Sequence, residues 1–535
     1  MIQRIRNFEN NFTIGKAALL IGTLTLASRL LGFFRQFLFA SKFGLSDTLD
    51  VYVTAFRIPD TIFSLLILGT LSVAFIPVFS ELYLQDKEKA MRLASTVLNA
   101  ALLFMLFVSI GLFIFMEPLT RLLVPGFAED KLQQTVNLTR VILLSPIIFT
   151  ISNVFSSVLT SFKRFFAVNI AAILYNVGII FGLLVLYPRM GLTGLGVGVL
   201  LGAALHALIQ VPELLRTGFR WQPVLDLRNA GFRKMARLFL PRIFGLDITA
   251  ISLLIAAYVG SLLAEGSISA YHLANDLQAL PIGLFALSTA AALFPILSEN
   301  FAKKDDERFI HNLQKAVLQI LVFIVPVSIW MLIFRAQIVR LVYGHGEIGW
   351  EQTILLFNTL GVFTIALFSQ SLTPLFARAF YARQNTKTPV IIGLLAMAIN
   401  AVASYTLAQH FGVIGIVGGF VLASFTNVVL LFGALRFNIS KTAPHELLHT
   451  FDKILIKEVS KIALASLVAG IISYGYLYLI EPFVNTQLTI GIFVQVAFAG
   501  IAGLLGYIVL LYWMNNEFVH NILEKLKIKP TESRS

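Results

Sequence analysis

The chain has 535 residues, of which 57% are hydrophobic and only 13% are charged. A soluble domain carries about 25% charged residues, so this composition excludes an ordinary soluble enzyme and a disordered chain. There is no cysteine, which excludes disulfides and cysteine-ligated metal sites. The net charge of +13 is not gathered in a basic domain with stacking aromatics, so no nucleic-acid partner is predicted.

Hydropathy along the chain predicts an all-α polytopic membrane protein. A spanning helix needs about 20 mostly apolar residues. Fourteen segments meet this requirement: 17–40, 49–78, 93–116, 134–160, 166–187, 192–212, 237–263, 270–297, 314–334, 353–377, 390–409, 413–435, 462–480 and 488–513. The first two contain charged residues and are expected to bend, the second at Pro59, because proline breaks the backbone ladder.

The distribution of Lys and Arg predicts the orientation in the membrane. With the N-terminus inside, the inside segments hold 29 of these residues and the outside loops hold 6. Positive charge favours the cytoplasmic side, so both termini are predicted to be cytoplasmic. The first apolar stretch contains Arg29 and Arg35 and runs past the length of a signal peptide, so no cleaved signal is predicted.

An internal duplication is visible as motifs that recur at nearly constant offsets. The pairs are 77–81 with 295–299, Arg121 with Arg340, Arg164 with Arg383, and Gly191 with Gly412, at offsets of 218, 219, 219 and 221. Two six-helix copies inserted the same way up predict two parallel lobes around a central cavity, as in transporters. The predicted parts are an N-lobe (1–212), a cytoplasmic linker (213–236), a C-lobe (237–435), an amphipathic linker (436–461), spans 13 and 14 (462–513) and a cytoplasmic tail (514–535).

Arginines inside the first two spans indicate the site of function. A charge at the centre of a spanning helix costs about 2.5–3.5 kcal/mol and usually faces a cavity or a partner. Arg29, beside Ser28, and Arg35 lie about 9 Å apart along a helix, and Arg57 lies in span 2. A basic cavity suits an anionic substrate, and the planar fork of arginine favours phosphate. The alternative is structural: Arg29 and Arg35 pair with Asp50, Asp60 or backbone carbonyls, with Asp50 favoured as an arginine partner.

The C-lobe carries fewer cations. Asn275 and Asp276 in span 8 and Asp50 in span 2 are assigned, with the three arginines, to substrate binding. The alternatives for Asp276 are that it balances an N-lobe arginine, carries a coupling proton or cation, or forms a structural salt bridge or a hydrogen-bonded helix contact. Asn400 and Ser404 share one helix face and, with Asp247, form a candidate site for a monovalent cation. The alternative for that pair is hydrogen bonding between helices.

The remaining polar patterns predict structure rather than chemistry. The glycines between 191 and 202 lack the strand and the Lys-Ser/Thr of a phosphate loop, so close helix packing is predicted. No Ser/His/Asp or paired-carboxylate arrangement is supported by spacing, so neither catalysis nor a metal site is predicted.

Several motifs together closely resemble the MurJ (MviN) family of the multidrug/oligosaccharidyl-lipid/polysaccharide exporter superfamily. They are SRLLGFFR at 28–35, FG at 43–44, AFRIP at 55–59, AFIPV at 74–78 and FYARQNTKTP at 380–389. The resemblance implies a flippase that moves lipid II, the undecaprenyl-diphosphate peptidoglycan precursor, from the inner to the outer leaflet of the bacterial inner membrane. It therefore implies a role in cell wall biogenesis and cell shape, with peptidoglycan synthesis proteins as partners.

The same resemblance implies roles for individual residues. The family's essential arginines and acidic residue match Arg29, Arg35 and Asp50, and its cytoplasmic arginine matches Arg383. Ser28 and Arg383 are predicted to be gate or structural polar residues. Asp247 and Asn400 resemble part of a family sodium site, in which Ser404 stands where a second acidic ligand is expected. The implied driving force is therefore Na⁺, H⁺ or the membrane potential, with no other cofactor.

Two stretches depart from the family pattern. Asn275 and Asp276 stand where the family typically has an aspartate and then an arginine. Phe63-Ser64 stands in place of the family's basic pair, and Leu68-Gly69 stands in place of its Glu-Gly. These departures keep two alternatives open: a flippase for another polyprenyl-diphosphate saccharide, and a cation-coupled exporter using Asp247 and Asp276.

Overall fold

The computed structural model describes residues 14–66, 71–243 and 248–516, and within them the secondary structure is helical. The chain divides into two compact units, Met1–Ser269 and Ala270–Ser535. The division falls inside the helix Ser267–Pro281. The predicted boundary between the lobes at 236/237 stays a prediction.

The first unit contains a series of long helices interrupted by short ones. They are Ile14–Phe43, Asp47–Ala55, Arg57–Leu66, Leu71–Gln85, Lys87–Ile114, Met116–Leu123, Glu129–Ile142, Leu144–Ser161, Phe166–Phe181, Tyr187–Met190, Leu192–Leu208, Val211–Arg216, Ala230–Ile243 and Ile248–Ser261, with a π-helical turn at Gly182–Leu186.

The second unit repeats this alternation and adds two long helices at its end. Its helices after Ser267–Pro281 are Leu287–Ala302, Asp306–Ile333, Arg335–Tyr343, Trp350–Ile365, Leu367–Ala382, Lys387–Phe411, Val413–Ser440, His445–Ile480 and Thr489–Trp513, with a π-helical turn at Ile282–Ala286 and a 3₁₀ turn at Glu481–Phe483. The helix His445–Ile480 runs without a break from the predicted linker 436–461 into predicted span 13.

Ten helices of the described residues are long and apolar enough to cross a membrane. The number is eleven if Trp350–Ile365 and Leu367–Ala382, which meet at 43°, form one bent span. The prediction of an all-helical, multi-pass membrane protein is confirmed. The count of fourteen spans and the arrangement of two lobes around a cavity stay predictions.

Prolines explain where the helices of the first unit break. Four breaks lie three residues before a proline: Phe56 before Pro59, Phe115 before Pro118, Leu143 before Pro146, and Ile209 before Pro212. Proline lacks the backbone N–H that would bond to the carbonyl four residues earlier, and its ring clashes with that carbonyl. The bend predicted for the second span is therefore found at Phe56, one helical turn before Pro59.

Matching backbone conformations support the internal duplication at the local level. Gly191 and Gly412 precede the helices Leu192–Leu208 and Val413–Ser440, with φ of 59° and 57° and ψ of −144° and −136°. Positive φ at these angles strains any residue with a Cβ atom, which accounts for glycine at both positions. These two glycines, with the same backbone conformation, are separated by the predicted offset of 221 residues.

Glycines also allow the closest helix contacts. A Cβ atom on Gly182 would lie 2.6 Å from the Cα of Gly198, and one on Gly194 would lie 2.6 Å from the backbone carbon of Leu186. The packing role predicted for the glycine run is therefore confirmed. In the second unit a Cβ on Gly415 would similarly overlap the backbone of Leu407.

Candidate substrate-binding site

The helix Ile14–Phe43 positions the two predicted arginines on either side of its contact with Phe166–Phe181. At the contact, a Cβ on Gly32 would lie 3.6 Å from the Oδ1 of Asn176. Arg29 and Arg35 each lie three residues from Gly32, so they flank this contact on opposite sides. Arg29 is exposed and Arg35 is half-buried.

Neither of these arginines has an ion-pair partner within 4 Å among the described residues. Asp60 interacts electrostatically with Arg57 and, more weakly, with Arg35. Tyr52 and Tyr175 lie within electrostatic range of Arg35 and Asp60. We call Arg35, Arg57 and Asp60 the arginine cluster. Arg29 lies on the same helix as Arg35. Together, the cluster and Arg29 have a net charge of +2, from three arginines and one aspartate.

The arginine cluster depends on the break in the second span. Arg57 begins the helix Arg57–Leu66 directly after the break at Phe56, and its carbonyl accepts a hydrogen bond from the Thr61 hydroxyl at 2.6 Å. Asp60 directly follows Pro59 in the chain and is exposed. Ser28, predicted as a gate or structural residue, is half-buried beside Arg29.

The partners of Asp50 differ from the prediction, which had this residue paired with an arginine. Its Oδ1 accepts hydrogen bonds from the backbone N–H of Ser269 at 2.8 Å and from the Ser269 hydroxyl at 2.6 Å. Its Oδ2 accepts hydrogen bonds from the Gly266 N–H and from Nζ of Lys131, both at 3.0 Å. The side chain is buried, and four donors occupy both oxygens.

The physical reason for this arrangement is the position of Asp50 in its helix. It lies in the first turn of Asp47–Ala55, seven residues or about 10 Å along a helix from Arg57. Ser269 lies in the first turn of Ser267–Pro281, where backbone N–H groups lack partners within the helix. A carboxylate at that position satisfies these donors and interacts favourably with the helix dipole. Asp50 therefore has a structural position, and its predicted contact with substrate gains no support from this geometry.

The predicted span 8 residues take part in a polar network in the second unit. His272 Nε2 lies 3.7 Å from Asp276 Oδ2, one turn along the same helix. The Asn275 Oδ1 accepts a hydrogen bond from Gln278 Nε2 at 3.0 Å, and Gln278 Oε1 accepts one from Gln370 at 2.8 Å. Of the alternatives for Asp276, the structure shows a local contact with His272, which is an ion pair when that histidine is protonated.

Two of the three candidate cation ligands are hydrogen-bonded to each other. The Ser404 hydroxyl lies 2.9 Å from Asn400 Oδ1 and 3.0 Å from the Ile416 carbonyl of the next helix. Both side chains are buried. Asp247 and the side chain of Arg242 lie outside the described residues. Among the described residues there is no group of three or more His, Cys, Asp or Glu side chains suited to a metal ion.

Arg383 connects three elements of the second unit. Its guanidinium donates to Asn438 Oδ1 at 2.7 Å, to Asp306 Oδ1 at 3.1 Å and to the Thr442 hydroxyl at 3.1 Å. It also lies 5.3 Å from the ring centre of Phe301. The side chain is buried. This geometry gives Arg383 the structural polar position that was one of its two predicted roles.

The chain matches a known protein family over most of its length. The model of a family described as "Lipid II flippase MurJ" matches residues 39–521. The chain belongs to the MurJ family. The predicted membership is thereby confirmed, and the family consists of flippases, which are transporters and not enzymes.

Named relatives agree with this assignment. A probable lipid II flippase MurJ of Vibrio cholerae is 26% identical over 433 residues, which cover 79% of this chain and 82% of the relative. A protein of the same name from Bdellovibrio bacteriovorus is 28% identical over 438 residues, covering 80% of this chain and 83% of the relative.

Solved structures show the same fold. The lipid II flippase MurJ in an inward closed conformation superposes with a TM-score of 0.76 at 24% identity, covering 94% of this chain and all of that one. An inward-facing multidrug resistance MATE transporter of the MOP superfamily reaches a TM-score of 0.67 at 16% identity, covering 79% of this chain and 98% of that one. The MurJ fold is therefore shared with multidrug transporters.

Sequence reasoning missed the residues that surround the predicted ones. Lys131, counted among the outside cations, is the partner of Asp50, and Ser269 is its main hydrogen-bond donor. Tyr52 and Tyr175 contribute polar groups near the arginine cluster. Lys131 was assigned to an outside loop, and a lone charge there carries no sign of its partner in the sequence.

Proposed function

We propose that this MurJ-family chain moves lipid II from the inner to the outer leaflet, with Arg29, Arg35 and Arg57 binding the diphosphate headgroup. One observation carries the proposal: in a chain of this family, Arg29 and Arg35 lie within an apolar helix without ion-pair partners among the described residues. Such charges are costly in a membrane unless they face a cavity or a ligand.

The chemistry of the headgroup fits this arrangement. A diphosphate carries negative charges on several oxygens, and an arginine can bind two of these oxygens at once. The arginine cluster and Arg29 together have excess positive charge, which Asp60 reduces without cancelling. The apolar tail of the lipid remains in the bilayer while the headgroup crosses.

The transport mechanism in this proposal is alternating access. The two predicted lobes rock against each other around a central site, as expected for transporters built from parallel repeats. A solved MurJ structure with this fold is in an inward closed conformation, and MATE structures are in inward-facing and outward-facing conformations, which supports such a cycle. Both termini lie in the cytoplasm of a bacterial inner-membrane protein, as the distribution of Lys and Arg predicts.

The driving force in this proposal is the membrane potential. An inside-negative potential favours outward movement of an anionic headgroup by about 2.3 kcal/mol per charge per 100 mV. Coupling to Na⁺ would use Asp247, Asn400 and Ser404, and coupling to H⁺ would use Asp276.

A second candidate function is flipping of another polyprenyl-diphosphate saccharide. It is favoured by one observation: span 8 presents the His272–Asp276 pair where the family pattern has an arginine. An acidic group there would contact a different part of the cargo, whereas the diphosphate would still bind to the arginines of the first two spans.

Complementation tests the two functions. The native lipid II flippase of a bacterium is depleted, this chain is expressed, and lipid II at the outer leaflet is measured. Rescue by the parent chain but not by Arg29→Ala supports lipid II as cargo. Arg92→Ala is the matched control, because Arg92 is an exposed arginine on the helix Lys87–Ile114 outside the proposed site.

Failure of the parent chain to rescue, with the protein present in the membrane, would contradict lipid II as cargo and favour the second candidate. Asp276→Ala is tested in parallel. Loss of rescue with Asp276→Ala would show that the acidic residue of span 8 takes part in the cycle.

A further inference from the structure

An asparagine lies on the exposed apolar face of the helix Lys87–Ile114. Asn99 precedes Leu103 and Phe107 by one and two turns, and these two side chains are 54% and 77% exposed. The helix is one of the ten apolar spans, so this exposed stripe is a lipid-facing surface. An amide without hydrogen-bond partners would be costly at such a position.

The segment after the helix Val211–Arg216 satisfies this amide. Asn99 Nδ2 donates to the carbonyls of Gln222 at 2.8 Å and Val224 at 2.9 Å, and its Oδ1 accepts from Trp221 Nε1 at 2.9 Å. The Gln222 N–H also donates to the Ser95 hydroxyl at 3.3 Å. This part of the predicted cytoplasmic linker is therefore fixed to a membrane-spanning helix at the level of residues 95–99.

We call residues 220–228 the linker ribbon. Burial alternates along it: Gln222, Val224 and Asp226 are half-buried, whereas the residues between them are exposed. Between its two end residues, the exposed positions are all apolar: Trp221, Pro223, Leu225 and Leu227. Trp221 is 60% exposed, and the two leucines are about half exposed. The linker ribbon thus continues the exposed apolar stripe of the neighbouring helix.

An arginine stands at each end of the linker ribbon. Arg220 and Arg228 are exposed, and neither makes a hydrogen bond or an ion pair with another described residue. Of the neighbouring cations, Arg216 pairs with Glu213 and Lys234 pairs with Glu81, whereas Arg233 and Arg237 make no ion pair with another described residue. The two end arginines are therefore available to a ligand.

We propose that the linker ribbon binds anionic phospholipid of the cytoplasmic leaflet, with its apolar side chains among the acyl chains and Arg220 and Arg228 on the headgroups. Three observations carry the proposal. First, the ribbon is continuous with a lipid-facing stripe. Second, it presents a tryptophan with a hydrogen-bonded N–H, and tryptophan is typical of membrane interfaces. Third, its end arginines are complementary to anionic lipid.

The depth of the linker ribbon favours lipid over a soluble protein partner. Its hydrogen bonds go to residues 95–99, which lie inside the predicted span 93–116. A cytoplasmic protein would not reach apolar side chains held at that depth. The proposal concerns the surface of the protein and does not depend on which cargo is transported.

Spin labels in the full chain test the location of the linker ribbon, and the absence of native cysteines makes each label unique. Leu225→Cys and Leu227→Cys are compared in lipid bilayers with Phe107→Cys as the lipid-facing control and Glu88→Cys as the exposed control outside the span. We expect the ribbon labels to collide with oxygen more than with a water-soluble nickel complex, as at Phe107. Collision rates like those at Glu88 would overturn the proposal.

A second experiment tests the preference for anionic lipid. A fluorophore on Leu225→Cys is quenched by brominated phosphatidylglycerol or by brominated phosphatidylcholine at equal mole fraction. One basic residue near an anionic surface favours association by roughly fivefold. We therefore expect stronger quenching by phosphatidylglycerol, and loss of this preference in the Arg220→Gln/Arg228→Gln variant.

Arg189→Gln is the matched control, because Arg189 is exposed on the helix Tyr187–Met190 away from the ribbon. It should keep the preference of the parent chain. Equal quenching by the two lipids in the parent chain would overturn the proposal, as would a preference that survives the double substitution.

Discussion

The Asp50 carboxylate accepts two hydrogen bonds from Ser269, which lies 219 residues later in the chain. Asp50 belongs to the predicted N-lobe and Ser269 to the predicted C-lobe. Lys131 and the Gly266 N–H occupy the other oxygen. This contact therefore connects segments that the proposed transport cycle would separate.

Removal of the Asp50 carboxylate should destabilise the protein. Asp50→Ala leaves three hydrogen-bond donors without their acceptor and removes the buried one of the two carboxylates that pair with Lys131. Breaking a buried ion pair costs about 3–5 kcal/mol. Thermal unfolding of the purified protein in detergent measures the effect. Asp47→Ala is the control: Asp47 also pairs with Lys131 but is 55% exposed, so a much smaller loss is expected. Equal losses for the two variants would contradict the structural position of Asp50.

A disulfide between positions 50 and 269 should stop transport. The chain has no cysteine, and Asp50 Oδ1 lies 2.6 Å from the Ser269 hydroxyl, so Asp50→Cys/Ser269→Cys should cross-link on oxidation. Lipid II exposure should fall after oxidation and recover after reduction. In the control pair Ser369→Cys/Ser424→Cys, the native hydroxyls lie 2.7 Å apart within the second unit. Full transport by the oxidised 50/269 variant would show that this contact stays closed throughout the cycle.

Replacement of arginine by lysine separates charge from geometry at the proposed site. Arg29→Lys and Arg35→Lys keep the positive charge but lose the planar fork that binds two phosphate oxygens. A hydrogen bond to a charged group contributes about 1.5–3 kcal/mol, so flipping rates should fall by roughly tenfold or more. Initial rates of lipid II exposure measure this, with Arg92→Lys as control. Unchanged rates would mean that only the charge is required.

Two neighbouring glycines should respond very differently to alanine. A Cβ on Gly419 would overlap the backbone nitrogen of Ser404, whereas one on Gly418 would meet only the tip of the Leu407 side chain at 3.3 Å. Gly419→Ala should therefore separate the helices Lys387–Phe411 and Val413–Ser440 and abolish the bond from Ser404 to Ile416. Gly418→Ala should be tolerated. The yield of folded, monodisperse protein measures both, and similar yields would argue against this close helix contact.

Local features of the fold could be predicted from the sequence, because hydropathy and proline act on nearby residues. The bend near Pro59, the packing role of Gly194 and the turn at Gly412 depend on chemistry within a few residues. The duplication was visible for the same reason, since each copy preserves its own turns.

The partners of the polar residues could not be predicted in the same way. Asp50 was expected beside an arginine because arginines are its neighbours in sequence, whereas its actual partner, Lys131, comes from a distant helix. Arg383 binds Asn438 and Asp306, which lie on two other helices, and the sequence motif contains neither. Hydrogen bonds between distant segments depend on tertiary packing, which leaves no periodic signal in the chain.

The helix breaks of the two units differ in whether a proline follows them. In the first unit the breaks at Phe115 and Leu143 precede prolines, so the lost backbone hydrogen bond cannot re-form. Breaks at Phe334 and Ala366 occur at corresponding places in the second unit, but Gln337 and Ser369 stand where prolines would be. These residues retain their N–H groups, so a missing backbone donor is not the cause of the 43° bend at Ala366. The breaks at Phe115 and Leu143 are fixed by the covalent structure of proline, whereas those at Phe334 and Ala366 persist although a backbone donor is available.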